Sequence, residues 1–263
     1  MDLGLKGRVA IVAAASKGLG KAVAAGLARE GAQVSICART GADLHIAASE
    51  IEAQTGQKVF WKAVDVTKPD QVRSFVEDVA HRFGGVDICV TNTGGPPAKN
   101  FLSISLEEWH QAVDLVLLSA VYFAREVLPR MLERHWGRLI FMASMSVKQP
   151  IDGLLLSNSL RAGVAGLAKT LANEFGKDNI LVNTVCPGYT LTERLGELAG
   201  AQARAAGVSA EEIYRRWAAS VPLQRLGKPE ELAALVVFLA SEKASYLNGT
   251  TIAVDGGYVK GLL

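Results

Sequence analysis

Along most of the chain, short uninterrupted apolar runs alternate with longer stretches in which apolar residues recur every three or four positions. The runs at 8–13, 32–37, 58–64, 86–91, 137–143, 180–185 and 251–254, rich in Val and Ile, predict buried strands. Val72, Phe75, Val76, Val79, Ala80 and Phe83 form the stripe of a helix packed on a sheet, and Leu160, Val164, Leu167, Ala168, Leu171 and Phe175 repeat it. Thr67 and Pro69 mark the start of the first of these helices as a cap and an early proline. Strand and helix in regular alternation predict an α/β fold with one doubly wound parallel sheet of Rossmann type, about seven strands with helices on both faces. No repeat, low-complexity tract or Pro/Gly linker divides it, so residues 1–263 are expected to form one domain. One segment breaks the rhythm. Residues 193–220 are charged, Ala-rich and helical in composition, which fits either a surface helix pair or a lid over a site at the carboxyl ends of the strands.

Composition narrows the class. Hydrophobic residues at 49% and charged residues at 21% describe an ordinary globular chain and exclude disorder. A net charge of +2 without a basic cluster argues against a nucleic-acid surface. Cys37, Cys89 and Cys186 stand far apart, which is neither a disulfide framework nor a zinc site. The chain opens Met-Asp-Leu-Gly-Leu-Lys without signal-peptide character, and the apolar run 232–240 is about half a membrane span. A cytoplasmic protein with a small-molecule substrate, no membrane and no nucleic acid is the expectation.

Candidate chemistry begins after the first strand. Residues 13–20 contain Ser16, Lys17, Gly18, Leu19 and Gly20, followed by a helix expected to run from Lys21 to Gly31. Glycines at a strand-to-helix turn let backbone N–H groups approach a pyrophosphate, which the helix N-terminus favours electrostatically. The second strand ends at Arg39 where an acidic residue would bind the ribose of NAD; an Arg suits the 2′-phosphate of NADP instead. Lys17 adds a second positive charge, so NADP(H) is expected in preference to NAD(H), unless both residues are ordinary surface charges.

These residues resemble the short-chain dehydrogenase/reductase family, in its 3-oxoacyl-carrier-protein-reductase-like branch, over essentially the whole chain. The family's Thr-Gly-x-x-x-Gly-x-Gly appears as Ala13 and Ala14 with Gly18 and Gly20. Asp65 and Val66 match the Asp-Val that touches adenine, and Thr91, Asn92, Thr93 and Gly94 match Asn-Asn-Ala-Gly. Pro187, Gly188 and Thr192 match the motif that holds the nicotinamide carboxamide. Pro222, Arg225, Gly227, Pro229 and Glu231, then Val254, Asp255, Gly256 and Gly257, match the C-terminal third. Ala14 replaces a glycine, which suits the turn only where φ is negative.

The catalytic positions depart from the resemblance. The family uses Asn, Ser, Tyr and Lys; here Ser144 fits the serine, but Val116, Ser157 and Arg161 stand at the other three. A serine hydroxyl is a far weaker acid than a phenol, and Arg stays charged. A Ser oxygen also stops ~4 Å short of a Tyr oxygen, a gap that a water with two polar partners can fill. Ser157 and Arg161 lie one turn apart on one helix face, so Arg161 remains placed to grip the nicotinamide ribose and Ser144 to bond a substrate oxygen. Two readings follow: an NADP(H)-dependent oxidoreductase acting on a carbonyl or alcohol with a rebuilt proton relay, or a non-catalytic nucleotide-binding sensor or scaffold.

His45, His81, His110 and His135 are scattered without metal-ligand spacing, so no metal is expected. Tyr189 follows the Pro-Gly turn and reads as aromatic pocket lining rather than as an alternative acid. Lys148 and Asp152 read as solvated loop charges. The resemblance implies a homotetramer built on segments 106–134 and 160–175 and on the last strand, the first of these being apolar nearly all round.

Overall fold

The computed structural model describes residues 2–262. Every predicted strand forms: β1 (Val9–Ala13), β2 (Gln33–Ala38), β3 (Phe60–Ala63), β4 (Ile88–Thr91), β5 (Gly137–Met142), β6 (Ile180–Pro187) and β7 (Thr251–Val254). All pair in parallel in one seven-stranded sheet of order β3-β2-β1-β4-β5-β6-β7. β1, β4 and β5 are buried on both faces, which is why they read as continuous apolar runs. β3, at one edge, alternates half-buried and exposed residues and is shorter than its sequence run.

Alternate strand residues feed two cores. Ala10, Val12, Ile36, Val90 and Ile140 face one cluster with helices α1 (Gly18–Arg29), α2 (Gly41–Thr55) and α9 (Pro229–Ala240). Ile11, Cys89, Leu139, Phe141 and Val182 face the other, with α3 (Pro69–Phe83), α5 (Ser119–Glu133) and α6 (Leu155–Phe175). The predicted α3 stripe packs there, with Val72, Phe75, Val76 and Val79 buried. Its cap differs from expectation: Lys68 is the N-cap, without a side-chain bond, and Pro69 occupies the first turn. Thr67 turns instead to Asp65, donating its hydroxyl to Oδ1 at 2.8 Å.

The long apolar helix is not uniform. It starts at α4 (Leu106–Ala112), where Ser105 and Glu108 form a reciprocal capping box, and passes through a π-helical turn, Val113–Leu118, into α5. Residues 193–220 fold as α7 (Glu193–Ala206) and α8 (Ala210–Ser220), which bury Leu195, Ala199, Ala203, Ile213 and Trp217 against each other in a third, small cluster. Among the described residues no helix is long and apolar enough to cross a membrane, and no group of His, Cys, Asp or Glu is placed to hold a metal.

After β1 the chain moves outward to β2 and β3, then crosses back to β4 beside β1. Strand order reverses at this point, which opens a crevice at the carboxyl ends of β1 and β4.

Candidate active site

The turn after β1 is held by its neighbours. The Ala15 N–H donates to the Cys37 carbonyl at 3.1 Å, and Asn92 Nδ2 donates to the Ala14 carbonyl at 3.3 Å, tying the β1 and β4 loops together. α1 begins at Gly18 rather than at Lys21, so the glycines form its first turn, whose N–H groups lack intrahelical partners. A Cβ at Gly20 would lie 2.5 Å from the Ala14 carbonyl oxygen, so only glycine fits. Ala14 itself adopts φ +47°, a left-handed conformation, which is the condition under which its methyl is unfavourable.

The predicted charges separate. Arg39 is exposed at the end of β2 and joins no ion pair among the described residues, but its charge reaches Asp65. Burial raises the Asp65 pKa, yet bonds from the Thr67 N–H and hydroxyl, with the charges of Lys68 and Arg39, hold the carboxyl below its ordinary value. Val66 is buried beside it. Lys17 is exposed and pairs with Glu193, the first residue of α7, and this contact raises its pKa. The β-carbon of Thr192 lies 3.6 Å from where a side chain on Gly18 would start, so the α7 N-terminus stands directly over the glycine turn. Thr192 also caps α7, accepting the Leu195 N–H at 3.2 Å. Gly188 lies against β7, where a Cβ would meet the Asp255 backbone at 2.5 Å, and beside Pro187 it starts the loop that carries Thr192 to this position.

At the end of β5, Ser144 caps a short helical turn, accepting the Ser146 N–H at 3.1 Å. The Ser146 hydroxyl lies 3.3 Å from the Ser157 hydroxyl, and both residues are buried. Arg161, one turn further along α6, is 8% exposed and donates from Nη1 to the Met142 carbonyl at 3.1 Å. Burial pulls its guanidinium down to about 10; Cys186 raises it slightly and Arg194 lowers it. Cys186 is buried as well, its thiol pushed up to about 11 by desolvation. Val116 is buried within the π-turn. Ser144, Ser157 and Arg161 thus come together as the spacing predicts.

Two residues escaped the sequence reading. Ser146, two after Ser144, bridges the predicted serines. Arg194, two after Thr192, reaches across the crevice from α7 and donates to the Pro96 carbonyl at 3.0 Å. Tyr189 stacks on Trp217 with ring centres 5.0 Å apart and meets Tyr258 edge-on at 5.2 Å, and burial raises its pKa. It is aromatic packing, as the sequence suggested.

Similarity to known proteins is consistent over the full length. The family described as Enoyl-(Acyl carrier protein) reductase matches residues 13–259. The 3-oxoacyl-[acyl-carrier-protein] reductase of Aquifex aeolicus (strain VF5) is 32% identical over 257 residues, covering 98% of this chain and 99% of its own. The crystal structure of L-sorbose reductase from Gluconobacter frateurii, complexed with NADPH and L-sorbose, superposes with a TM-score of 0.95 at 37% identity, covering all of both chains. A variant of actinorhodin polyketide ketoreductase with NADPH gives a TM-score of 0.93 at 30% identity over 97% of this chain and 98% of its own. With the sheet order, the glycine turn and Ser144 in place, this chain belongs to the short-chain dehydrogenase/reductase family and is an oxidoreductase of carbonyl or alcohol groups.

Proposed function

We propose that the protein is an NADPH-dependent reductase of a small carbonyl compound, in which serine hydroxyls and water replace the family's phenol. The observation that carries the reading is the serine cluster at the end of β5, where Ser144 accepts the Ser146 N–H and the Ser146 and Ser157 hydroxyls lie 3.3 Å apart, next to the crevice that the glycine turn opens.

The turn fits a dinucleotide, because Gly20 admits no side chain and the α1 N-terminus presents free N–H groups. Ser16 to Gly20, Asn92 and Gly94 would border the phosphates and ribose, Asp65 and Val66 the adenine, and Arg161, Pro187, Gly188 and Thr192 the nicotinamide end. Arg39, which joins no ion pair among the described residues, would take the 2′-phosphate and favours NADP(H) over NAD(H). When bound, the reduced nicotinamide supplies a hydride. With hydride delivered to the carbonyl carbon, the π electron pair would pass to the oxygen, which would need a proton held by this chain's own residues. Ser144 donates a hydrogen bond to that oxygen, and Ser157 with Ser146 holds the water that supplies the proton. Arg161 stays charged throughout and relays no proton.

α7 and α8 act as the lid, since Glu193 and Arg194 contact the β1 and β4 loops. A homotetramer is supported by the outer stripe of α6, where Ala162, Gly163 and Gly166 are exposed and small. At Gly166 a Cβ would meet nothing within 4 Å.

The test is NADPH consumption against a panel of small ketones and aldehydes. Turnover should fall by about a hundredfold or more in Ser144→Ala, with a solvent isotope effect marking proton delivery from water. Binding of NADPH without turnover of any carbonyl would refute the reductase reading and favour a nucleotide sensor.

A further inference from the structure

Among the described residues, Arg161 is a buried cation without an acidic partner. Its one hydrogen bond among the described residues goes to the Met142 carbonyl, and no carboxylate acts on it. Besides burial, Cys186 raises its pKa and a second guanidinium, Arg194 on α7, lowers it. The acid that Arg194 does contact, Glu197 at 3.1 Å, lies on the outer side of the lid and is well exposed. A charge removed from water is costly unless paired. In the family resemblance a phenol stands one turn before this position and can ionise to balance its cation; Ser157 cannot. The counter-charge therefore has to arrive from outside.

We propose that the substrate brings it: a carbonyl compound carrying a carboxylate next to the reacting carbon, of the 2-oxo acid or 2-hydroxy acid class, with the carboxylate seated on Arg161. This rests on the proposed reading of the same site as a reductase. The surroundings suit an anion. The Ser144 hydroxyl oxygen accepts the Ser146 backbone N–H at 3.1 Å, the Ser146 and Ser157 hydroxyls lie 3.3 Å apart, and Arg161 follows Ser157 on the same face of α6. These are donors that can turn toward a carboxylate, with no acidic side chain among them. A ligand that bonds both Ser144 and Arg161 must hold its carbonyl and its charge close together, which selects the 2-oxo position over a remote carboxylate. Arg194 provides a second positive charge on the lid side and draws anions into the crevice.

The probe is oxamate, with its neutral isostere oxamide as the control, titrated calorimetrically into the protein alone and into the protein saturated with NADPH. Oxamate should bind saturably and oxamide at least tenfold more weakly. Arg161→Gln should weaken oxamate by about a hundredfold and leave oxamide unchanged, while Arg161→Lys should recover part of the loss. Circular dichroism checks folding; should Arg161→Gln not fold, the oxamate-to-oxamide ratio in the unmodified protein decides alone. Equal binding of the two probes, or undiminished oxamate binding in folded Arg161→Gln, overturns the proposal. A response to inorganic phosphate but not to oxamate overturns the carboxylate class. NADPH binding measured on the same samples separates the two levels: NADPH without oxamate defeats the anion site alone, and oxamate without NADPH defeats the reductase reading alone.

Discussion

Lys17 and Glu193 pair across 176 positions of sequence, joining the glycine turn after β1 to the first turn of α7. The lysine expected to serve a cofactor phosphate is thus held by a carboxylate at the start of α7. Both side chains are more than half exposed, so the pair is weak and a phosphate can displace it. Glu193→Gln should tighten NADPH by about two- to fivefold and speed its association, read by stopped-flow fluorescence. A weaker complex would mean that Glu193 assists the cofactor rather than competing with it.

Arg39 carries the cofactor preference alone if Lys17 is engaged. Arg39→Asp should weaken NADPH by about tenfold and improve NADH, because one charge-assisted contact is lost and a ribose acceptor is gained. Equilibrium titration with both cofactors checks it. Unchanged selectivity would move the 2′-phosphate elsewhere.

On the proposed rebuilt relay, ordinary family chemistry should be slow. Short 3-oxoacyl thioesters should be reduced poorly, and the combined changes Val116→Asn, Ser157→Tyr and Arg161→Lys should raise that rate by about 10²-fold or more. All three positions are buried, so folding of the variant is checked by thermal melting. Fast reduction by the unmodified protein, abolished by Ser157→Ala, would assign the proton donor to Ser157 itself.

Ala14 pays a conformational cost at φ +47°. Ala14→Gly removes the Cβ strain, about 1 kcal/mol, offset in part by the entropy of the unfolded chain. Tm should hold or rise slightly, with tighter NADPH binding. Ala14→Val should lower Tm by about 3 °C or more. Equal stability of the valine variant would show that the turn relaxes to negative φ.

Assembly is tested by light scattering at micromolar concentration, where a mass of about four times the 27.9 kDa chain is expected. Gly166→Arg, aimed at the open face of α6, should shift the protein to smaller species with little effect on its far-ultraviolet spectrum. A monomeric mass for the unmodified chain would refute the tetramer.

Periodicity alone revealed the sheet, because buried parallel strands are continuous apolar runs and the α3 and α6 stripes repeat every turn. The site was legible wherever spacing encodes position: Gly18 and Gly20 after β1, and Ser157 and Arg161 one turn apart. The sign of φ at Ala14 was not legible, since it depends on how the Asn92 and Cys37 bonds hold the turn. Nor was the Lys17–Glu193 pair, which needs the loop after β6 to bring α7 over β1. Thr67 misled as a cap because the N-cap position falls one residue later, at Lys68, and the Thr67 hydroxyl donates to Asp65. Arg194 was missed because its partner is a backbone carbonyl, invisible in any residue pattern.

The π-turn at Val113–Leu118 fixes the rotational phase of everything after it. An α-helix advances about 100° per residue, and a π-turn absorbs one residue more than the regular pitch allows. Phe123, Val127 and Met131 point into the sheet because of that extra residue. Deleting any one position in this turn would restore a regular helix and swing those three side chains by about 100° toward water. The segment therefore tolerates replacement of its side chains, as Val116 attests, but not a change in its length.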